Sequence, residues 1–173
     1  MSGFRASQLV RAAAELKIPE MLAGGPMTSE QISVATSIDL GRMHRFLRGL
    51  AALGVLAEGE DGRFSNTEVG EIFREDVPLS RRPMAMMMIP HDYWSWGHFM
   101  ETLRTGVTGQ QLAHGGSIWA DLERDQELAA PFNQAMVVNS EAAAEFVSAN
   151  GDFANATLVV DVGGGKGGLA AAF

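Results

Sequence analysis

The sequence predicts a mainly α-helical chain of 173 residues that reaches the first strand of an α/β unit only near its C-terminal end. Three observations carry that expectation. Apolar residues recur at helical spacing through most of the chain, and only the stretch around Val55 to Ser65 breaks into short extended runs about a glycine turn. Near the end, Leu158-Val159-Val160-Asp161-Val162 is an apolar, β-branched run followed at once by a cluster of glycines.

The composition fits a chain able to build its own core, with 46% hydrophobic and 20% charged residues. With no cysteine, disulfide frameworks, cysteine-ligated metals and cysteine nucleophiles are excluded, and no metal site is expected. No run of 18 apolar residues is present, so no membrane span is expected. The N-terminus lacks the apolar core of a secretory signal, and the cytoplasm is the expected location. The net charge of −8 is unevenly spread: residues 1–86 hold 10 basic and 11 acidic groups, residues 87–173 hold 3 and 10. The second half should repel nucleic acid phosphates.

Gln8 to Lys17 reads as a helix with Leu9, Ala13 and Leu16 on one face, followed by a short turn from Ile18 to Leu22 about Pro19. Thr28 and Gln31 have capping-box spacing ahead of a short helix through Ile32 and Ala35. Asp39 caps a third helix in which Leu40, Met43, Leu47 and Leu50 form one stripe up to Gly54. Val55-Leu56-Ala57 and Arg63-Phe64-Ser65 flank Gly59-Glu60-Asp61-Gly62 as a small hairpin. Three helices and a two-stranded ribbon are, in that order, a winged helix-turn-helix.

A further helix is expected from Thr67 to Phe73, then a connection through Asp76 to Leu79. Arg82–Ile89 and Asp92–Arg104 read as helices broken at Pro90, and Gly106–Gly116 as a polar loop. Ile118–Leu122 and Gln126–Val147 resume helical spacing, with Leu128, Phe132, Met136 and Val137 as candidate buried positions. The strand expected at Leu158–Val162 and the half-helix from Leu169 to Phe173 have no neighbouring strands in this sequence. The segment is therefore expected to be disordered or to pair with another chain.

The chemistry is concentrated in Asp161-Val162-Gly163-Gly164-Gly165-Lys166-Gly167-Gly168, at a strand-to-helix turn. Glycines there permit a tight turn and close backbone approach, and the following helix start presents free N–H groups. A P-loop is disfavoured because no Ser or Thr follows Lys166. Gly163, Gly165 and Gly168 satisfy the dinucleotide pattern G-x-G-x-x-G, while Asp161, Gly163, Gly165 and Gly167 satisfy the D-x-G-x-G-x-G pattern of S-adenosylmethionine enzymes. A plain tight turn would need fewer glycines.

The whole chain resembles the small-molecule O-methyltransferases of the plant caffeate/flavonoid type and their bacterial polyketide- and antibiotic-tailoring relatives. The resemblance runs through Arg45-Phe46-Leu47-Arg48-Gly49-Leu50-Ala51-Ala52-Leu53-Gly54-Val55-Leu56, Trp96-Gly97-His98, Leu103-Arg104-Thr105-Gly106, His114-Gly115 with Trp119, Pro131-Phe132-Asn133-Gln134-Ala135-Met136, and the Val159–Gly165 block. It implies a winged-helix dimerisation domain over residues 1–80. A helical segment over 81–155, forming a substrate lid and connection, follows, and residues 156–173 begin a Rossmann-like domain that the chain leaves incomplete.

The resemblance also implies S-adenosyl-L-methionine as cofactor, held by Asp161, Gly163, Gly164 and Gly165 with Met136 and Ser140 from the preceding helix. By their own chemistry, Met136 is equally a core methionine on a helix face and Ser140 a solvated serine. The family's acidic ribose ligand and general-base histidine are expected beyond Phe173, so no catalytic residue is assigned among His44, His91, His98 and His114. His91, Tyr93, Trp94 and Trp96 could line an aromatic substrate pocket or form a helix–helix contact. The methionines Met84, Met86, Met87 and Met88 suit a packing or dimer surface better than a metal.

The reaction implied is methyl transfer to a hydroxyl of an aromatic or polyketide-type small molecule by a homodimer. The chain alone is expected to be inactive. One alternative is a winged-helix DNA-binding regulator using Arg42, Arg45 and Arg48, which the acidic wing residues Glu58, Glu60 and Asp61 oppose. The other is a non-catalytic dimerisation partner.

Overall fold

The computed structural model describes residues 3–87, 90–151, 153, 156–164 and 167–172. It is mainly helical with one small sheet. Gly165 and Lys166 of the glycine loop, Met88 and Ile89, and Phe173 lie outside the described residues.

Helix α1 (Gly3–Glu15) begins earlier than periodicity indicated and ends where Lys17 turns left-handed at φ 55°. The expected turn about Pro19 is a short helix, α2 (Ile18–Met21), whose start tolerates the proline because no intrahelical N–H is needed there. In α3 (Ser29–Thr36) the capping box forms as expected: the Gln31 amide N–H donates to Thr28 Oγ1 at 3.3 Å, and the Thr28 N–H to Gln31 Oε1 at 2.8 Å. Asp39 accepts from the Arg42 N–H at 3.1 Å and starts α4 (Leu40–Ala52), which buries Met43, Leu47 and Leu50 completely.

The expected two-stranded ribbon is a three-stranded sheet. Met27–Thr28 forms β1, Leu56–Glu58 forms β2 and Arg63–Asn66 forms β3, in the order β1-β3-β2 with both pairings antiparallel. Two residues carry no readable alternation, and β1 exists because Met27 and Thr28 find Phe64 and Arg63 across the sheet. Phe64, at the centre, is fully buried against Ile18, Ile32, Met43, Leu47 and Leu50 in one contiguous core.

The short α5 (Glu68–Glu71) is capped by Thr67, whose hydroxyl also donates to the Gly54 carbonyl at 2.6 Å. An ion-pair network then ties this first unit to α6 (Arg82–Met87). Arg82 Nε donates to the Ala14 carbonyl at 3.1 Å and lies 3.4 Å from Glu20, while Lys17 holds Glu75 at 3.0 Å.

Beyond α6 the expected helix from Asp92 to Arg104 is divided. It becomes α7 (Pro90–Gly97) and α8 (Phe99–Thr105), separated at His98, whose φ of −90° and ψ of 10° leave the helical region. The polar loop expected at Gly106–Gly116 contains α9 (Gly109–His114), capped by Thr108 and closed by left-handed Gly115. A Cβ on Gly109 would run into the Ser95 backbone carbonyl, so glycine is what lets α9 lie so close on α7. The eleven residues read as a loop because six helical residues are too few to show a period.

Helix α10 (Ile118–Arg124) leads into α11 (Gln126–Asn150), which is longer than expected and carries Pro131 inside it. Its buried positions are Ala129, Ala135, Val138 and Ala144. Leu128, Phe132 and Val137 are only half-buried and Met136 is 37% exposed, so the expected core positions are corrected. Helix α11 packs against α6, where Asn139 Nδ2 donates to Met84 Sδ at 3.7 Å.

No strand forms at Leu158–Val162, where Leu158 is 78%, Val160 73% and Val162 92% exposed. A strand is completed by hydrogen bonds to a neighbour, and among the described residues no strand pairs with this one. The expected half-helix is a single 3-10 turn over Ala170–Ala172. Among the described residues, no helix is long and apolar enough to cross a membrane.

Candidate functional site

A cavity of about 660 Å³ lies between α11 and the glycine loop. Helical spacing sets Phe132, Met136, Ser140 and Ala143 on one flank of α11, and these line one wall. Asp161, Gly163, Gly164, Gly168 and Leu169 line the other. The loop is seated on the helix closely: a Cβ on Gly168 would come within 3.3 Å of the Ser140 Cβ.

The cavity thus brings together Met136, Ser140, Asp161, Gly163 and Gly164, five of the six residues singled out for the cofactor; the sixth, Gly165, is outside the described residues. The carboxylate of Asp161 lies over Gly164, in the space a Cβ there would take. Its Oδ2 is buried without a hydrogen-bond partner among the described residues, in a residue that lines the cavity. A buried carboxylate oxygen left unpaired is costly, and a ligand donor in the cavity would satisfy it.

Sequence reasoning missed Trp119, Phe132 and Asn133 as lining residues. Trp119 meets Phe132 edge-to-face, with ring centroids 6.0 Å apart and planes at 87°, forming an aromatic wall that is still 65% exposed at Trp119. Phe132 and Asn133 lie in a block that the family resemblance had already marked, and that was the available signal. Asn139, also lining the cavity, accepts from Arg81 at 3.5 Å.

Tyr93, Trp94 and Trp96 do not line this cavity. They lie on α7 at 43%, 60% and 69% exposure, with Tyr93 set against Trp94 and Phe4. Nor does any of the four histidines line it. His44 shares a 2.9 Å hydrogen bond with Ser29, and His98 Nδ1 lies 3.4 Å from Glu101. His91 and His114 stack with centroids 4.0 Å apart. Among the described residues no group of three or more His, Asp or Glu side chains could hold a metal ion. On α4, Arg48 pairs with Glu58 at 3.5 Å and Arg42 with Asp39 at 3.9 Å.

An apolar, aromatic-walled cavity with a glycine loop and one inward carboxylate is a small-molecule site. The comparisons narrow the class: the chain belongs to the O-methyltransferase family. The O-methyltransferase dimerisation domain matches residues 1–76 and the O-methyltransferase domain residues 96–173. O-methyltransferase SfmM3 of Streptomyces lavendulae is 33% identical over 161 residues, covering 93% of this chain and 48% of that protein. The crystal structure of LaPhzM superposes with a TM-score of 0.91 at 30% identity, covering 99% of this chain and 52% of that one. CalO1, a methyltransferase in calicheamicin biosynthesis solved in its SAH-bound form, gives 0.83 at 30% identity, covering 98% and 51%. The chain spans about half the length of the curated relatives it matches.

Proposed function

We propose that this chain contributes to S-adenosylmethionine-dependent O-methylation of a hydroxyl on an aromatic or polyketide-type small molecule. The observation that carries the reading is the cavity in which Asp161, Gly163 and Gly164 face Met136 and Ser140. A glycine approach surface, an unpaired buried carboxylate oxygen and a polarizable thioether suit a ligand that is both cationic and apolar. SAH-bound CalO1, similar over 98% of this chain, supports the same ligand class.

In this reading Asp161 accepts hydrogen bonds from the cationic end of the ligand, Gly163 lets it approach the backbone, and Gly164 makes room for the Asp161 carboxylate. Met136 packs against its sulfur region, and the Ser140 hydroxyl supplies a further polar contact. Bound there, the cofactor supplies an electrophilic methyl group. Trp119 and Phe132 wall off the apolar side and shed water from it. Tyr93, Trp94 and Trp96 face an acceptor from α7. Residues 1–80 act as a winged-helix homodimerisation unit, 81–155 as lid and connection, and 156–173 as the start of a Rossmann-like unit.

None of the four histidines lines the cavity, and no residue of this chain is assigned the role of taking the acceptor's proton. Isothermal titration with S-adenosylhomocysteine tests the reading, with saturable binding expected and binding weakened in Asp161→Ala. Methyl transfer to simple phenols by this chain is expected to be undetectable. Absent binding in the unaltered chain, or equal binding by Asp161→Ala, would overturn the cofactor assignment. Light scattering after gel filtration is expected to give a dimer mass.

A further inference from the structure

The helix that presents Trp119 to the cavity has an unusual anchor. Helix α10 has one buried residue, and that residue is the acidic Asp121, two positions after Trp119. Short helices are normally held by an apolar face, whereas Trp119 on this one is 65% exposed. Alongside half-buried Ile118 and Leu122, α10 is therefore anchored by a buried polar group.

Asp121 lies at the centre of contacts from three helices. Gln110 of α9 donates from Nε2 to Asp121 Oδ2 at 2.9 Å, and His91 of α7 brings Nε2 to 3.5 Å from the same oxygen. Arg124, one turn on in α10, donates to Oδ1 at 2.6 Å. The partners are themselves held: the single Ser95 hydroxyl proton is shared between the His91 carbonyl at 2.6 Å and Gln110 Oε1 at 3.1 Å, and the His114 ring stacks on that of His91. A buried carboxylate with this many partners defines one geometry, and it is costly to leave with fewer.

We propose that Asp121 is a positioning residue: by tying α10 to α7 and α9 it sets Trp119 against Phe132 and so fixes the aromatic wall of the cavity. The inference rests on the preceding section for the wall's purpose, but the placement of Trp119 is measurable without any ligand. Truncating the network frees α10 to rotate about its junction with α11, and the ring two residues away moves with it.

The test uses the chain labelled with 5-fluorotryptophan. The ¹⁹F resonance of Trp119 is identified by its loss in Trp119→Phe. In Asp121→Asn that resonance is expected to move toward its position in urea, while those of Trp94 and Trp96 stay in place. An unmoved Trp119 signal, or an equal displacement of all three, would overturn the proposal, since general loosening would affect every tryptophan. If Asp121→Asn does not fold, Gln110→Ala removes one hydrogen bond from the rim and is read by the same criterion. Titration with S-adenosylhomocysteine separates the two readings. An unaltered chain that does not bind refutes the cofactor assignment only, while the Trp119 resonance still decides the role of Asp121.

Discussion

Replacing Gly164 by alanine should separate ligand binding from folding. The added Cβ would occupy the space of the Asp161 carboxylate, overlapping its carbon and both oxygens. The obstacle is the end of a short side chain, so Asp161 can rotate away without moving backbone. Folding should lose little, because Asp161 Oδ2 has no hydrogen-bond partner among the described residues and gains water when it turns outward. Binding, by contrast, loses a hydrogen bond to a charged group, worth about 1.5–3 kcal/mol, which is roughly a ten- to 150-fold rise in Kd for S-adenosylhomocysteine. Calorimetric titration gives the Kd, and thermal unfolding followed by circular dichroism gives the stability of the same samples. An unchanged Kd, or a loss of binding matched by a loss of folded protein, would refute the reasoning.

In the first core, Leu47→Ala removes a side chain with no exposure and should cost about 2–5 kcal/mol by urea denaturation. A cost below about 1 kcal/mol would mean that the core collapses around the site. Gly109→Ala drives a methyl into the Ser95 carbonyl and should destabilise the chain clearly, whereas Gly116→Ala, with nothing within 4 Å, should be tolerated; the two melting curves decide it. Acid should loosen the junction between the first unit and α6. Hydrogen bonds from Arg74, then Asn66, hold Glu71 below the usual carboxylate range; Lys17 first, then Arg82, does so for Glu75, and Arg74 for Asp76. Folded values below unfolded ones mean that this stability is present above the ordinary carboxylate range, about pH 4, and fades as pH falls through the lowered values. All three side chains are over 40% exposed, so the effect is small and screened by salt. A loss of stability in this region between pH 8 and 6 instead would contradict it.

Much of the architecture was legible because it is local. The stripe of Met43, Leu47 and Leu50, the capping box at Thr28 and Gln31, and the cap at Asp39 each involve residues within one or two turns, and all three are present. The glycine loop could be recognised as a ligand surface because five glycines in six positions have no ordinary structural use. Helix α9 was not legible, since its closeness to α7 depends on the missing side chain at Gly109 and on a carbonyl fourteen residues away.

What the sequence by itself determined is therefore the locally encoded helices, caps and turns of the first unit and the glycine motif, while the link from that motif to Met136 and Ser140 came only from the family resemblance. Only the tertiary structure decided that Met27 and Thr28 form a strand, that Trp119 and Phe132 wall the cavity, and that Asp121 is buried among partners from α7 and α9. The reason is the same in each case. A strand needs a partner's hydrogen bonds, an aromatic pair needs a second ring, and a buried carboxylate needs donors from other helices, and none of these partners is adjacent in the chain. The run Leu158–Val162 shows the converse: its residues favour a strand, and with no partner strand among the described residues it is irregular and its apolar side chains are exposed.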